Sequence, residues 1–201
     1  MTTQELFDQA LSRLSGKQVR CTIFDALREV QGIIASQLLM RRSDLLKAPV
    51  PAEIMYVKGE QSSRLPSNFK ALDGRPYLSD GSILAPLGQI SPTALIAPGK
   101  PSHYDLANFH LRIYPPPLTT ATVRVPYYFK LTTPTSMTDE LPFNGEFDGV
   151  ILEGCVGMMI AGLTIVADRG FVTVVASQVD AVLAARERIA EQALADAING
   201  V

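Results

Sequence analysis

Apolar positions recur at helical spacing in the first part of the chain, alternate along short runs in its middle, and return to helical spacing near its end. Leu6, Ala10, Leu11 and Leu14 share one helical face; Thr2 followed three residues later by Glu5 predicts a capping box, and Gly16 a C-terminal stop. Thr22 opens a second helix in which Ile23, Leu27, Val30, Ile34 and Leu38 recur at helical spacing, and Pro49 and Pro51 place its end near Lys47. Two such helices form a hairpin whose apolar stripe must be covered by later helices.

From Pro51 to Leu131 the period changes and prolines become frequent. Residues 53–58 form a candidate strand, and Asp80-Gly81, between Tyr77 and Leu84, sits where a tight hairpin needs positive φ. Pro86, Pro92, Pro98 and Pro101 make the next stretch irregular. Phe109, Leu111 and Ile113 then alternate with His110, Arg112 and Tyr114, and Val123, Val125, Tyr127 and Phe129 repeat the pattern, so the two runs predict a hairpin with one buried face. Pro126 lacks an N–H and predicts an edge strand or a bulge; Pro115, Pro116 and Pro117 make a stiff, extended connection.

After a polar linker over residues 132–140, residues 147–167 predict a helix that is apolar almost all round and therefore buried on several sides. Gly149, Gly154 and Gly157 each cost about 1 kcal/mol of helix propensity, which a close neighbouring helix would offset. Asp168-Arg169-Gly170 breaks the run. Residues 172–197 then predict a long alanine-rich helix with Val175, Val179, Val182, Ile189 and Leu194 on one stripe and Arg186, Glu187, Arg188 and Glu191 on a solvated face.

The elements together predict an α+β protein: a helical bundle, made of an N-terminal helix hairpin and two C-terminal helices, with an inserted antiparallel β-domain. The expected boundaries are 1–50, 51–131 and 132–201. In 201 residues, 47% are hydrophobic and only 19% charged, below the roughly 25% usual for soluble domains. A protomer that hides part of its surface against neighbours accounts for that excess.

Charge excludes one class of function. A net charge of −2 does not suit a protein built to grip nucleic acid. Arg41-Arg42 and Lys17 with Arg20 are too short for a phosphate-binding stripe. Cys21 and Cys155 fit no metal or redox spacing, and Cys155 stands among apolar neighbours where a thiol acts as a small hydrophobe; both are expected reduced. The acidic opening Met-Thr-Thr-Gln-Glu predicts no signal peptide. Glu153, several glycines and the scarcity of flanking cations argue against a membrane span at residues 149–167.

No constellation of catalytic residues stands out. His103, Asp105 and His110 could in principle hold zinc or run acid–base chemistry, but their spacing matches no metalloenzyme motif, and His110 falls on the wet face of its strand. Gly154-Cys-Val-Gly157 follows no strand and lacks the third glycine of a dinucleotide loop, and Ser62-Ser63-Arg64 has no nucleophile-elbow glycines. Tyr127, Tyr128 and Phe129 point to alternate faces and cannot form one stacking platform. No enzyme activity, metal or cofactor is expected.

The order of the parts carries more than any one residue. The turn Leu65-Pro-Ser-Asn-Phe-Lys-Ala-Leu72, the runs Leu111-Arg-Ile-Tyr-Pro-Pro-Pro117 and Val123-Arg-Val-Pro-Tyr-Tyr128, and Leu141-Pro-Phe through Phe147-Asp148 with the small-residue helix behind it follow one another. This succession resembles the head-to-tail adaptor, or connector, proteins of tailed bacteriophages, of the podovirus tail accessory factor type. It runs from about Glu29 to about Ala190. More glycine in the central helix and a short tail past Ala190 are departures from that pattern.

The resemblance implies a structural virion protein. It would form a ring with copies of itself, typically a dodecamer, beneath the portal protein, extending the channel for double-stranded DNA without sequence-specific binding and offering tail or nozzle proteins their attachment surface. It would act at the head–tail interface of the virion, after assembly in the host cytoplasm, and not in a membrane. Candidate interface residues are Gly149, Gly154 and Gly157, Arg41 and Arg42, and Pro115, Pro116 and Pro117. A head-closure or tail-terminator ring protein is the alternative; a small-molecule-binding protein or enzyme is a third reading.

Overall fold

A computed structural model of the protein describes residues 1–88, 97–143, 145–162 and 169–199. The chain divides into two compact units, Met1–Leu45 with Leu131–Val201 and Leu46–Lys130. The first is helical and the second is built of strands, so the fold is α+β with a β unit inserted between the second and third helices.

In the helical unit, α1 (Thr3–Leu14) opens with the expected capping box: the Glu5 N–H donates to Thr2 Oγ1 at 3.2 Å and the Thr2 N–H to Glu5 Oε2 at 2.8 Å. Leu6, Ala10 and Leu14 are buried, whereas Leu11 is 45% exposed and faces out of the stripe it was expected to join. Two amides of the first turn, those of Thr3 and Gln4, donate to the carbonyls of Asp139 and Met137 at 2.9 Å each. The polar linker thus forms a strap over the start of α1, satisfying donors that a helix cannot pair internally. The Asp139 carboxylate accepts from the N–H groups of Thr135 and Ser136, which holds its pKa below the usual carboxylate value and fixes the turn of the strap.

The second helix, α2 (Ile23–Met40), is capped by Thr22 and buries Ile23, Leu27, Val30, Ile34 and Leu38. It ends seven residues before Lys47, where sequence placed its end. Arg42 takes the left-handed conformation at φ 53°, and the N–H groups of Ser43 and Arg42 donate to the carbonyls of Leu38 and Leu39, both at 3.0 Å. This is a Schellman ending with arginine in the position glycine usually fills, so no residue type announced it.

The third helix, α3 (Asp148–Ala161), buries Ile151, Leu152, Gly154, Cys155, Val156, Met158 and Met159. It ends at Ala161, with Gly162 at φ 78°, short of the expected Ala167. Residues 163–168 lie outside the described residues, as do residues 89–96 of the proline-rich stretch; of the expected break at Asp168-Arg169-Gly170, Arg169 and Gly170 instead begin the next helix. A Cβ built on Gly154 would stand 2.6 Å from Cζ of Phe171 and 2.7 Å from Cγ2 of Val30. Missing one side chain, α3 lets α2 and the fourth helix close over it.

That fourth helix, α4 (Arg169–Asn199), has 31 residues and is about 46 Å long. Phe171 meets Val30 over Gly154, and eleven residues further on, at the C-cap of α2, Arg41 meets Asp180, so α4 runs beside α2 in the same direction. Val175 and Val179 are buried, but Ile189 and Leu194, expected on the same buried stripe, are 69% and 63% exposed. Every residue from 185 to 198 is exposed. The stripe loses its close cover because α2 ends at Met40; beyond it residues 41–45 and Glu146 only border an open cleft beside residues 183–193.

Among its described residues the β unit holds nine short strands: β1 (Ala52–Tyr56), β2 (Ser62–Arg64), β3 (Phe69–Leu72), β4 (Tyr77–Leu78), β5 (Ala85–Pro86), β6 (His103–Ala107), β7 (His110–Tyr114), β8 (Ala121–Val125) and β9 (Tyr127–Phe129). They pair in the orders β1-β8-β4, β2-β7-β6-β5 and β3-β9, all antiparallel except β5 with β6. Ile54, Tyr56, Leu65, Leu78, Leu84, Leu111, Ile113, Val123 and Val125 form the core of this unit. Tyr56 donates its hydroxyl to the Leu111 carbonyl at 2.7 Å, and burial pushes that phenol well above its ordinary pKa.

The expected hairpin between the two alternating runs does not form. β7 pairs with β6 and β2, and β8 pairs with β1 and β4. Asn108 and Phe109, at φ 50° and 60°, make the two-residue turn that closes β6 onto β7, so Phe109 is at a loop tip and 71% exposed instead of facing the core. Pro126 also differs from expectation. β8 is a central strand, and the proline stands between β8 and β9, where the chain leaves one sheet to pair with β3 in another. The Asp80-Gly81 turn is as expected, with Gly81 at φ 85°.

Replacing Gly154 by Ala should lower thermal stability by about 1–3 kcal/mol, because its Cβ meets Val30 and Phe171. Gly149→Ala, whose Cβ meets nothing within 4 Å, should be neutral or stabilising. Paired thermal melts check this; equal melting temperatures for the two variants would refute the close contact.

Candidate assembly surfaces

Sequence reasoning proposed eight interface residues, and the structure places them in different settings. Gly149 is exposed at the start of α3, beside a surface cleft of about 370 Å³ lined by Glu5, Gln9 and Leu152. Gly154 is buried, its near neighbours being Val30 and Phe171 of the same chain, and Gly157 is half-buried. Neither of these two glycines is an open surface.

Arg41 is committed within the helical unit. Its Nε and Nη2 donate to the two carboxylate oxygens of Asp180, the second at 3.1 Å, while Nη1 donates to the Gln37 carbonyl at 3.1 Å and to Gln37 Oε1 at 2.8 Å. A planar guanidinium is suited to such a fork, and a cation at the last turn of α2 also complements the helix dipole. The hydrogen bond from Arg41 holds the Asp180 carboxyl below its usual range. Arg41 is thus the last clamp between α2 and α4. Arg42, held in the left-handed conformation, lines a cleft of about 660 Å³ between the end of α2 and residues 183–193 of α4. Glu146 and Arg186 pair across it at 2.5 Å.

In the β unit, Pro116 and Pro117 are buried and Pro115 is half-buried. The Pro116 carbonyl accepts from the Gly99 N–H at 2.8 Å and the Pro117 carbonyl from the Gly59 N–H at 2.9 Å. The three prolines are thus part of the β unit's own packing and present little free surface in the single chain. The exposed tip is the following Leu118-Thr119-Thr120, beside the ion pair of Lys100 with Asp80 at 2.8 Å.

His103 and Asp105 lie on β6 and His110 on β7, where His110 is opposite Ala107. Four strand residues separate the levels of the two histidines, about 13 Å, so they cannot share one ion. His103 Nδ1 instead contacts Ser102 Oγ, and His110 Nδ1 the Asn108 carbonyl, each at 2.9 Å. Among the described residues no group of three His, Cys, Asp or Glu side chains could hold a metal. No described helix is long and apolar enough to cross a membrane.

Two apolar surfaces were missed by sequence reasoning. One is a groove of about 700 Å³ on the helical unit, lined by Phe7, Leu11, Val19, Phe24, Met137 and Met159 beside Arg20 and Cys21. Its one sequence signal is Val19, an apolar residue inside an otherwise polar linker. The other is the uncovered half of α4, where Ile189, Leu194 and Ile198 are at least 63% exposed. Charge is divided between the units as well. Leu46–Lys130 carries nine Lys and Arg against five Asp and Glu, a net +4, and the remainder carries nine against fifteen, a net −6.

A family model described as SU10 adaptor protein matches residues 1–200. The chain therefore belongs to the SU10 adaptor protein family. That is a family of structural phage adaptors, components of the virion, in keeping with the resemblance carried by the sequence motifs. A comparison with curated proteins finds no match.

Arg41→Ala should lower the melting temperature at neutral pH by releasing α4. Because the folded pKa of Asp180 is depressed, its stabilising contribution is complete above the unfolded value of about 4 and is lost as pH falls through the lower folded value. The deficit of the variant should therefore narrow under acid. Melts of both proteins from pH 7 down to pH 3 check it, and a deficit unchanged across that range would mean the arginine acts through packing alone.

Proposed function

We propose that this adaptor is one protomer of a closed ring, a dodecamer by resemblance to head-to-tail adaptors, assembled beneath the portal of a tailed virion. The ring extends the DNA channel and presents an attachment surface to tail or nozzle proteins. The observation that carries this reading is the exposed second half of α4. A long amphipathic helix whose apolar positions are uncovered in the single chain needs a partner surface, and a helical unit with a second apolar groove offers one.

The helical unit faces neighbouring protomers and the portal, and the β unit faces the tail or the outside of the ring. The charge division supports this assignment. A helical unit of net −6 adds no attraction for phosphate, so DNA beside it is not held by counterion release. On the β side the exposed tip at Leu118-Thr119-Thr120 rests on the buried Pro116 and Pro117, so docking there orders little additional backbone. The role is structural, with no chemistry to perform and no cofactor.

Sedimentation of the purified protein with and without portal tests the reading. A monomer alone and several copies recruited per portal ring is the expected result, because a ring interface of small repeated contacts gains from a template. A portal that never recruits multiple copies overturns it.

A further inference from the structure

We propose that the free C-terminal half of α4 lies, in a second copy of this chain, in the apolar groove beside the linker between α1 and α2. The inference rests on the self-association read above and names the two surfaces that make the contact.

One chain cannot satisfy both surfaces itself. The groove opens at the first turn of α2, at Thr22, Ile23 and Phe24, whereas α4 runs along α2 in the same direction and passes its far end at Arg41. The 18 residues of α2 put about 27 Å between the groove and that crossing, and residues 181–198 carry α4 about another 27 Å onward. The tail thus points away from its own groove and toward the position of a neighbour. A patch that meets a different patch on the next copy makes a heterologous contact, which closes into a ring when the rotation allows.

The two surfaces also match in chemistry. Glu187, Glu191, Leu194 and Ile198 follow at intervals of four, three and four residues and so share one face of α4, acidic toward the bundle and apolar toward the tip. The groove presents Phe7, Leu11, Val19, Phe24 and Met137, and the linker at its rim carries Lys17 and Arg20, both exposed and without an ion pair among the described residues. An amphipathic helix laid in an apolar groove with basic residues at its acidic end is a recurrent recognition mode.

Cys21 lines the groove and supplies the test. Leu194→Cys and Ile198→Cys variants are assembled on portal and treated with a short bismaleimide. Cys155 does not compete, because burial pushes its thiol up to about 12; Cys21 is also raised, by burial and by Asp25, so long exposure to the reagent is needed. The expected result is a ladder of covalent multimers on a denaturing gel, absent when Cys21 is changed to Ala. Glu191→Lys and Arg20→Glu should each reduce recruitment several-fold and restore it when combined. Multiple copies on portal with no ladder from either cysteine variant overturn this inference alone. Cross-links to portal, or closed within one chain, overturn it as well and assign the tail to that partner. Failure of portal to recruit copies of the unmodified protein overturns the ring reading, and this inference with it.

Discussion

The closure of α2 and α4 over Gly154 is the constraint on which the helical unit depends. A helix as apolar as α3 cannot remain at a surface, and its buried positions, Ile151, Cys155, Met158 and their neighbours, need cover from more than one side. The missing side chain at Gly154 lets Val30 and Phe171 reach the α3 backbone together. That contact lays α4 beside α2 in the same direction, and Arg41 secures the far end at Asp180. Because α2 has 18 residues and α4 has 31, the overshoot of α4 follows directly from the packing that buries α3.

Magnitudes indicate what the overshoot can do. Covering Leu194 and Ile198, the two apolar residues of the proposed contact face, would contribute about 2–4 kcal/mol per copy, given that each is already partly covered by its own helix. Association costs about 4–15 kcal/mol in lost rigid-body freedom. One such contact is too weak to hold two free chains together, while many of them around a template sum to a stable ring. The same comparison is the reason the proposed ring is expected to need a template.

Much of the fold was legible in the sequence, and each failure has a physical cause. Helical periodicity identified the four described α-helices, and Thr2, Gly16 and Thr22 marked ends of the first two because capping is local chemistry. The end of α2 was misplaced because Arg42 occupies a backbone region that only glycine or asparagine advertises. The hairpin was misassigned because alternation shows that a strand has one buried face but not which strand it pairs with; Asn108-Phe109 was the turn signal overlooked. Pro115–Pro117 stood out as interface candidates because a stiff, extended connection suggests a docking loop, yet burial is a tertiary property that composition does not encode. For the same reason the apolar stripe of α4 gave no sign of where its cover ends. The proposed interface was therefore only half visible: sequence indicated excess apolar content, and in the single chain exposed apolar residues stand at 185–198 and in the groove lined by Phe7, Leu11 and Phe24.

The central claim is that the second half of α4 is uncovered in the single chain and covered on assembly. Hydrogen–deuterium exchange of residues 185–198, compared between free protein and protein assembled on portal, tests it most directly. The account predicts rapid exchange in the free chain, far faster than in residues 171–180, and strong protection after assembly. Protection already present in the free chain, or rapid exchange that persists in the assembled ring, would contradict it.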